Sequence, residues 1–195
     1  MKAKISLFTL CSVIIMTAAC GVLDLESGRS GYLSGYVVDD IYPDELTAEL
    51  ATAAGDGDTA KMDELIEQGA DVNATGLDGN TLLVWAFKME NLTGFKHLLI
   101  KGTNPDLYYG LGGDEAIIAD IILWKEYDYL KAILDAGANP DLLIRSGPST
   151  PIMDIAYGSG GQLDMVQLLV EYGAQIDLQT PEKNNYATRV ALYTN

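Results

Sequence analysis

The chain has 195 residues and a formal net charge of −16 at pH 7, from 28 Asp and Glu against 12 Lys and Arg. An acid excess of that size excludes nucleic acid as a ligand and electrostatic attachment to an anionic lipid face. It favours a basic protein partner, whose encounter it would speed by steering.

Lys2 and Lys4 precede an almost wholly apolar run, Ile5 to Ala19, which closes on the small residues Thr17-Ala18-Ala19 before Cys20. A basic start, a short apolar stretch and a small-residue cleavage site predict a secretory leader over 1–19. The run is too short to span a bilayer comfortably, which takes about 20 residues. Without the two lysines the chain carries about −18. Thr17-Ala18-Ala19-Cys20 resembles the lipobox of bacterial lipoproteins, although Thr stands where Leu is typical. That resemblance implies cleavage before Cys20, a diacylglycerol on its thiol and an acyl chain on the new amine, with ordinary cleavage of a soluble periplasmic protein as the alternative. Gly21 after the cysteine, rather than Asp, implies sorting to the outer membrane. Each buried methylene of such an anchor contributes roughly 0.8 kcal/mol. Cys11 leaves with the leader and Cys20 takes the lipid, so no thiol remains for a disulfide, a metal or a nucleophile.

Residues 20–43 read as the lipidated N-terminus and a tether rich in Gly and Ser. Within it Tyr32, Leu33, Tyr36, Val37 and Val38 suit either a small strand or a cover for the first helices of the folded body. After Pro43 the spacing of Leu46, Leu50, Ala53 and Ala54 predicts a helix.

From there the chain repeats. Gly69-Ala70-Asp71-Val72-Asn73, Gly102-Thr103-Asn104-Pro105-Asp106, Gly137-Ala138-Asn139-Pro140-Asp141 and Gly173-Ala174-Gln175-Ile176-Asp177 stand 33, 35 and 36 residues apart. Each follows an amphipathic stretch: Met62, Leu65, Ile66; Phe95, Leu98, Leu99; Leu130, Ile133, Leu134; Val166, Leu168, Leu169. Each glycine can take the left-handed backbone that ends a helix. Thr81 and Thr150 can cap the helices that come next, and the Asn and Asp residues suit the connecting turns. All six prolines, at 43, 105, 140, 148, 151 and 181, fall in turns or first helical positions. The period, Asp78-Gly79-Asn80-Thr81-Leu82-Leu83 and Thr150-Pro151-Ile152 resemble the ankyrin repeat. The resemblance implies an all-α solenoid of four phased helix-turn-helix units over 44–183. Residues 184–195, with Tyr186, Val190 and Tyr193, are expected to cover its end. Two units depart from the pattern. The third has Glu115-Ala116-Ile117 in place of Thr-Pro-Leu, and Ile121 and Ile122 near the usual small pair, which should spread the packing there. The fourth has extra residues at Tyr157 to Gly161, so its turn should be enlarged.

No catalytic or cofactor constellation is present. His97, the one histidine, sits beside Leu98 and Leu99 and reads as structural; without a second histidine or a thiol, zinc has no ligand set. Asp56, Asp58, Asp63 and Glu64 suit a solvated helix face and turn rather than an acid–base pair. Asp56-Gly57-Asp58 lacks the further ligands of a calcium loop, and Gly110-Leu111-Gly112-Gly113 lacks the Lys-Ser or Lys-Thr of a phosphate cradle. The second reads as a long, flexible finger tip.

The large residues that repeat packing does not demand are the candidate contacts. By the ankyrin resemblance, fingers and first helices line a partner-binding face, so Tyr108, Tyr109 and Trp85 are expected to anchor a protein. Leu143 and Arg145 hold the matching stretch one unit on, and Asp78, Asp114, Glu115 and Glu182 are candidates for an acidic rim. The chain as a whole resembles ankyrin-repeat lipoproteins that serve as immunity proteins against secreted antibacterial effectors, including phospholipase toxins of the type VI apparatus. That resemblance implies a non-enzymatic protein that binds such an effector in the periplasm. A general periplasmic scaffold, an envelope-stress adaptor or an envelope-assembly role are the alternatives.

Overall fold

The computed structural model describes residues 37–145, 149–157 and 162–176. Cys20 and the leader, the cover expected at 184–195, Tyr32, Leu33, Tyr36, Pro148, Pro181 and Glu182 lie outside the described residues. What is described is all-α apart from one short ribbon, and is built of stacked helix pairs. A single turn, α1 (Val38–Ile41), leads into α2 (Glu45–Asp56) and α3 (Thr59–Glu67). The next pairs are α4 (Leu82–Lys88) with α5 (Leu92–Ile100), α6 (Ile117–Leu123) with α7 (Tyr127–Asp135), and α8 (Pro151–Tyr157) with α9 (Leu163–Glu171).

The last three pairs share one measure: seven residues in the first helix and nine in the second. Polar residues set the helix starts. Asp44, Asp58, Thr81 and Asn91 each accept, through the side chain, a backbone N–H of the first turn, contributing roughly 1 kcal/mol apiece. Ala116 before α6 has no such acceptor; there the chain enters from the ribbon β1 (Tyr108–Tyr109) and β2 (Glu115–Ala116). α8 ends at Tyr157 and α9 starts at Leu163; the turn expected to be enlarged, at 158–161, lies outside the described residues.

The periodic apolar residues make the core: Met62, Leu65, Phe95, Leu98, Leu130, Ile133, Leu168 and Leu169 are all buried. Neighbouring pairs differ in how closely they meet. α2 carries buried alanines at 48, 51, 53 and 54, and α5 crosses it where Gly94 lies against the Ala54 carbonyl. First helices α2 and α4 pack together, as do α6 and α8, whereas α4 and α6 approach far less closely. Isoleucines 117, 118, 121 and 122 of α6 are buried between these neighbours. On the outer side α5 and α7 remain in contact, and Tyr129 joins them by edge-on packing against Phe87 at 5.0 Å and Phe95 at 4.9 Å.

The connecting turns are tied laterally. Gly69, Gly102, Gly137 and Gly173 take φ of 105, 92, 90 and 94°, the left-handed region that ends a helix. The Asn73 side chain then accepts the backbone N–H of Asn104 at 2.7 Å, and Asp141 accepts that of Gln175 at 3.0 Å. Each unit thus satisfies a backbone donor of the next.

Candidate protein-binding site

Three fingers project between helix pairs, each closed by antiparallel pairing. Thr75 bridges to Thr81 in the first and Ile144 to Ser149 in the third. In the second, Tyr108 pairs with Ala116 and Tyr109 with Glu115. Successive residues of a strand point to opposite faces, so Tyr108 and Tyr109 cannot both face a partner.

Tyr109 turns inward. It is 5% exposed, and its hydroxyl donates to Asp120 Oδ2 at 2.5 Å. Lys88 Nζ reaches the same oxygen at 2.7 Å, so Tyr109 and Lys88 link the second finger and α4 to α6. Tyr108 turns the other way and is half-buried. Its hydroxyl donates to the Leu143 carbonyl at 2.7 Å, and the Arg145 guanidinium lies 3.7 Å from its ring centre, a stacked cation–π arrangement.

The fingers are therefore zipped to one another. The Gly110 N–H donates to the Asp78 carbonyl at 2.8 Å, joining first to second. The Arg145 N–H donates to the Asp114 carbonyl at 3.2 Å, and its guanidinium to the Gly113 carbonyl at 3.4 Å, joining second to third. The Gly110–Gly113 turn is thus hydrogen-bonded to the finger on either side.

Trp85 corrects a second expectation. It is only 8% exposed, because α4 is buried on every face from Leu82 to Phe87 and so shows no outer stripe. Its ring packs edge-on against Tyr42 at 6.0 Å, and the Tyr42 hydroxyl donates to the Thr81 carbonyl at 3.0 Å. Trp85 and Tyr109 are thus core residues, and neither reaches the surface as a contact.

Asp78, Glu115 and Arg145 are exposed, Asp114 is half-buried, and Leu143 is 37% exposed. The residues that sequence reasoning missed are Leu77 and Leu111, 55% and 78% exposed at the tips of the first and second fingers. With Leu143 they give each finger one outward leucine. Their signal was an apolar side chain amid turn-forming Gly and Asp, where burial has no use for it.

His97 proves more engaged than its place beside the core suggested. Its Nε2 lies 2.7 Å from Asp63 Oδ1, and Lys101 Nζ meets the same oxygen at 2.7 Å. The hydrogen bonds from Lys101 and then His97 hold the Asp63 carboxyl below the usual range. Asp63 is thus a tie between α3 and α5 as well as part of a solvated face. Among the described residues no group of three or more His, Cys, Asp or Glu is placed to hold a metal ion, and no helix is long and apolar enough to cross a membrane.

One stretch, residues 149–181, matches the ankyrin repeat. It opens on Ser149-Thr150-Pro151-Ile152, the start of α8, and runs past Gly173. The chain is also similar to Protein glp-1 of Caenorhabditis elegans, 28% identical over 155 residues. That match covers 76% of this chain and 12% of the relative, so the chain spans about an eighth of the protein it resembles.

Proposed function

We propose that the four helix pairs form an ankyrin-repeat solenoid whose finger edge grips a protein. One observation carries this reading: three successive fingers, hydrogen-bonded to one another, each present an exposed leucine. Apolar side chains on a pre-ordered backbone are what an interface gains from, since little entropy is lost on docking. Charged Asp78, Glu115 and Arg145 supply the polar rim that such a patch has. Residues 1–19 are then a lipoprotein leader, Cys20 the lipid anchor, 20–43 a tether, 44–183 the repeat domain and 184–195 its cover.

On this reading the chain is an outer-membrane lipoprotein facing the periplasm, and acts as an immunity protein that binds and neutralises a secreted antibacterial effector of phospholipase type. Its acidity suits a basic effector, and blocking an enzyme by covering it requires no chemistry from the chain. The test is co-purification of the chain with the product of the gene beside its own, followed by growth when that product is directed to the periplasm. Complex formation and protection, both lost in the double variant Leu111→Ser/Leu143→Ser, are expected. A complex without protection would leave a scaffold or adaptor; no complex would end the immunity reading. Acyl labelling that survives Cys20→Ser would remove the anchor.

A further inference from the structure

We infer that the open end of the stack, along α2, seats a short cationic segment of a partner protein. The inference is independent of the finger edge and uses other elements. α4 packs against α2, and α8 against α6, so each has a preceding first helix on one side. Among the described residues α2 has no preceding first helix, only the four-residue α1, of which Ile41 is buried. Among the described residues this leaves a groove of about 610 Å³ bounded by α1, α2 and the start of α3.

The groove is floored in part by Ala48 and Ala53, whose small side chains let another chain come close. Its walls carry Asp39, Glu45, Glu49 and Asp56 against the single cation Lys61. Lys61 is itself shared: its Nζ lies 3.9 Å from Glu49 and 3.3 Å from Glu64. Asp39, Glu45 and Asp56 have no ion-pair partner among the described residues. Glu45 and Asp56 mark the ends of α2, roughly 16 Å apart at 1.5 Å per residue, the length of about five extended residues. Carboxylates walling a concave, low-dielectric surface concentrate the field there and draw cations in.

Charge decides the occupant. A second copy of this chain brings another −16, and the chain's own residues 20–36 hold Asp24 and Glu26 against Arg29 alone. Neither complements the groove. A lysine- or arginine-bearing segment of a different protein does, with its charges reaching Glu45, Glu49 and Asp56 while its backbone rests over the alanines.

The test uses the full chain in neutral detergent and a fluorescein-labelled peptide of alternating lysine and alanine, with anisotropy as the readout. Saturable binding is expected, weakened by about tenfold or more in Glu49→Lys/Asp56→Lys, a change of about 1.4 kcal/mol. Glu67→Lys/Glu171→Lys, with the same net charge change at exposed sites elsewhere, should stay near the unaltered chain, as should Leu111→Ser. Equal losses in the two charge-reversed variants would mean bulk attraction and overturn the assignment, as would the absence of saturable binding. Tighter peptide binding in Arg29→Glu would give the groove to the chain's own N-terminal segment and also overturn it. Matching thermal melts of the variants exclude unfolding as the cause.

Discussion

The carboxylate of Asp106 accepts the backbone N–H of Asn139, 3.0 and 3.2 Å from its two oxygens, and so ties one finger base to the next. Partial burial pushes the Asp106 carboxyl upward, against the lowering effect of that N–H. Asn139 is exposed, so water can take its N–H when the carboxylate is removed, and the bond contributes only its net value. Asp106→Ala should therefore cost about 0.5–1.5 kcal/mol in urea denaturation, and Asp106→Asn, which keeps an acceptor, clearly less. Equal losses from both would show that charge, not the hydrogen bond, is what matters.

Gly94 is the least replaceable glycine of those in the helices. A Cβ there would stand 1.9 Å from the Ala54 carbonyl oxygen, a backbone atom that cannot swing aside. Gly94→Ala must push α5 off α2, and we expect a loss above about 3 kcal/mol, beyond the usual range for overpacking. At Gly69 a Cβ meets nothing within 4 Å, but φ is 105°; Gly69→Ala should cost about 1 kcal/mol from backbone strain. Thermal or urea melts of the two variants give the comparison, and a Gly69→Ala loss as large as that of Gly94→Ala would contradict it.

Two aspartates should titrate on opposite sides of the usual value. Burial raises the Asp154 carboxyl above 3.8, partly offset by a hydrogen bond from Ser149. Its folded form holds a proton that the unfolded chain has released, so the stability linked to it is present below 3.8 and is lost as pH rises through the raised value. Asp63 is lowered from 3.8 by Lys101 and then His97. Its contribution is present above 3.8 and is lost as pH falls through the lowered value. Carboxyl carbon shifts followed by NMR should give an Asp154 midpoint above that of Asp63; the reverse order would refute both assignments.

Much of this fold was legible in the sequence, because the repeating Gly, the capping Thr81 and the apolar triplets all act locally. A glycine after a helix and an aspartate in a turn do the same work wherever the repeat places them. The site was less legible. Tyr108 and Tyr109 looked like a pair because both are large, but a two-residue strand sends them to opposite faces. Trp85 looked spare against a repeat pattern of smaller residues; burial all around α4, with Tyr42 arriving from before the repeats, made it core. The ties of Asp106 to Asn139 and of Arg145 to Tyr108 cross 33 or more positions, and a spacing rule that reads neighbours does not see them.

The corrected placement separates two kinds of variant. Trp85→Ala should destabilise the chain by about 3–5 kcal/mol, the usual cost of emptying a large aromatic site. Leu111→Ser, at an exposed tip, should leave stability within about 0.5 kcal/mol while weakening partner capture. A folded Trp85→Ala chain of undiminished stability would return Trp85 to the surface as a contact.

The uneven meeting of α4 and α6 divides the work of holding that junction between its two sides. Its outer side is closed by α5, α7 and the ring of Tyr129, while its inner side is bridged chiefly by Lys88 and Tyr109 converging on Asp120. Asp120 is therefore the polar anchor that the two halves of the stack share on that side.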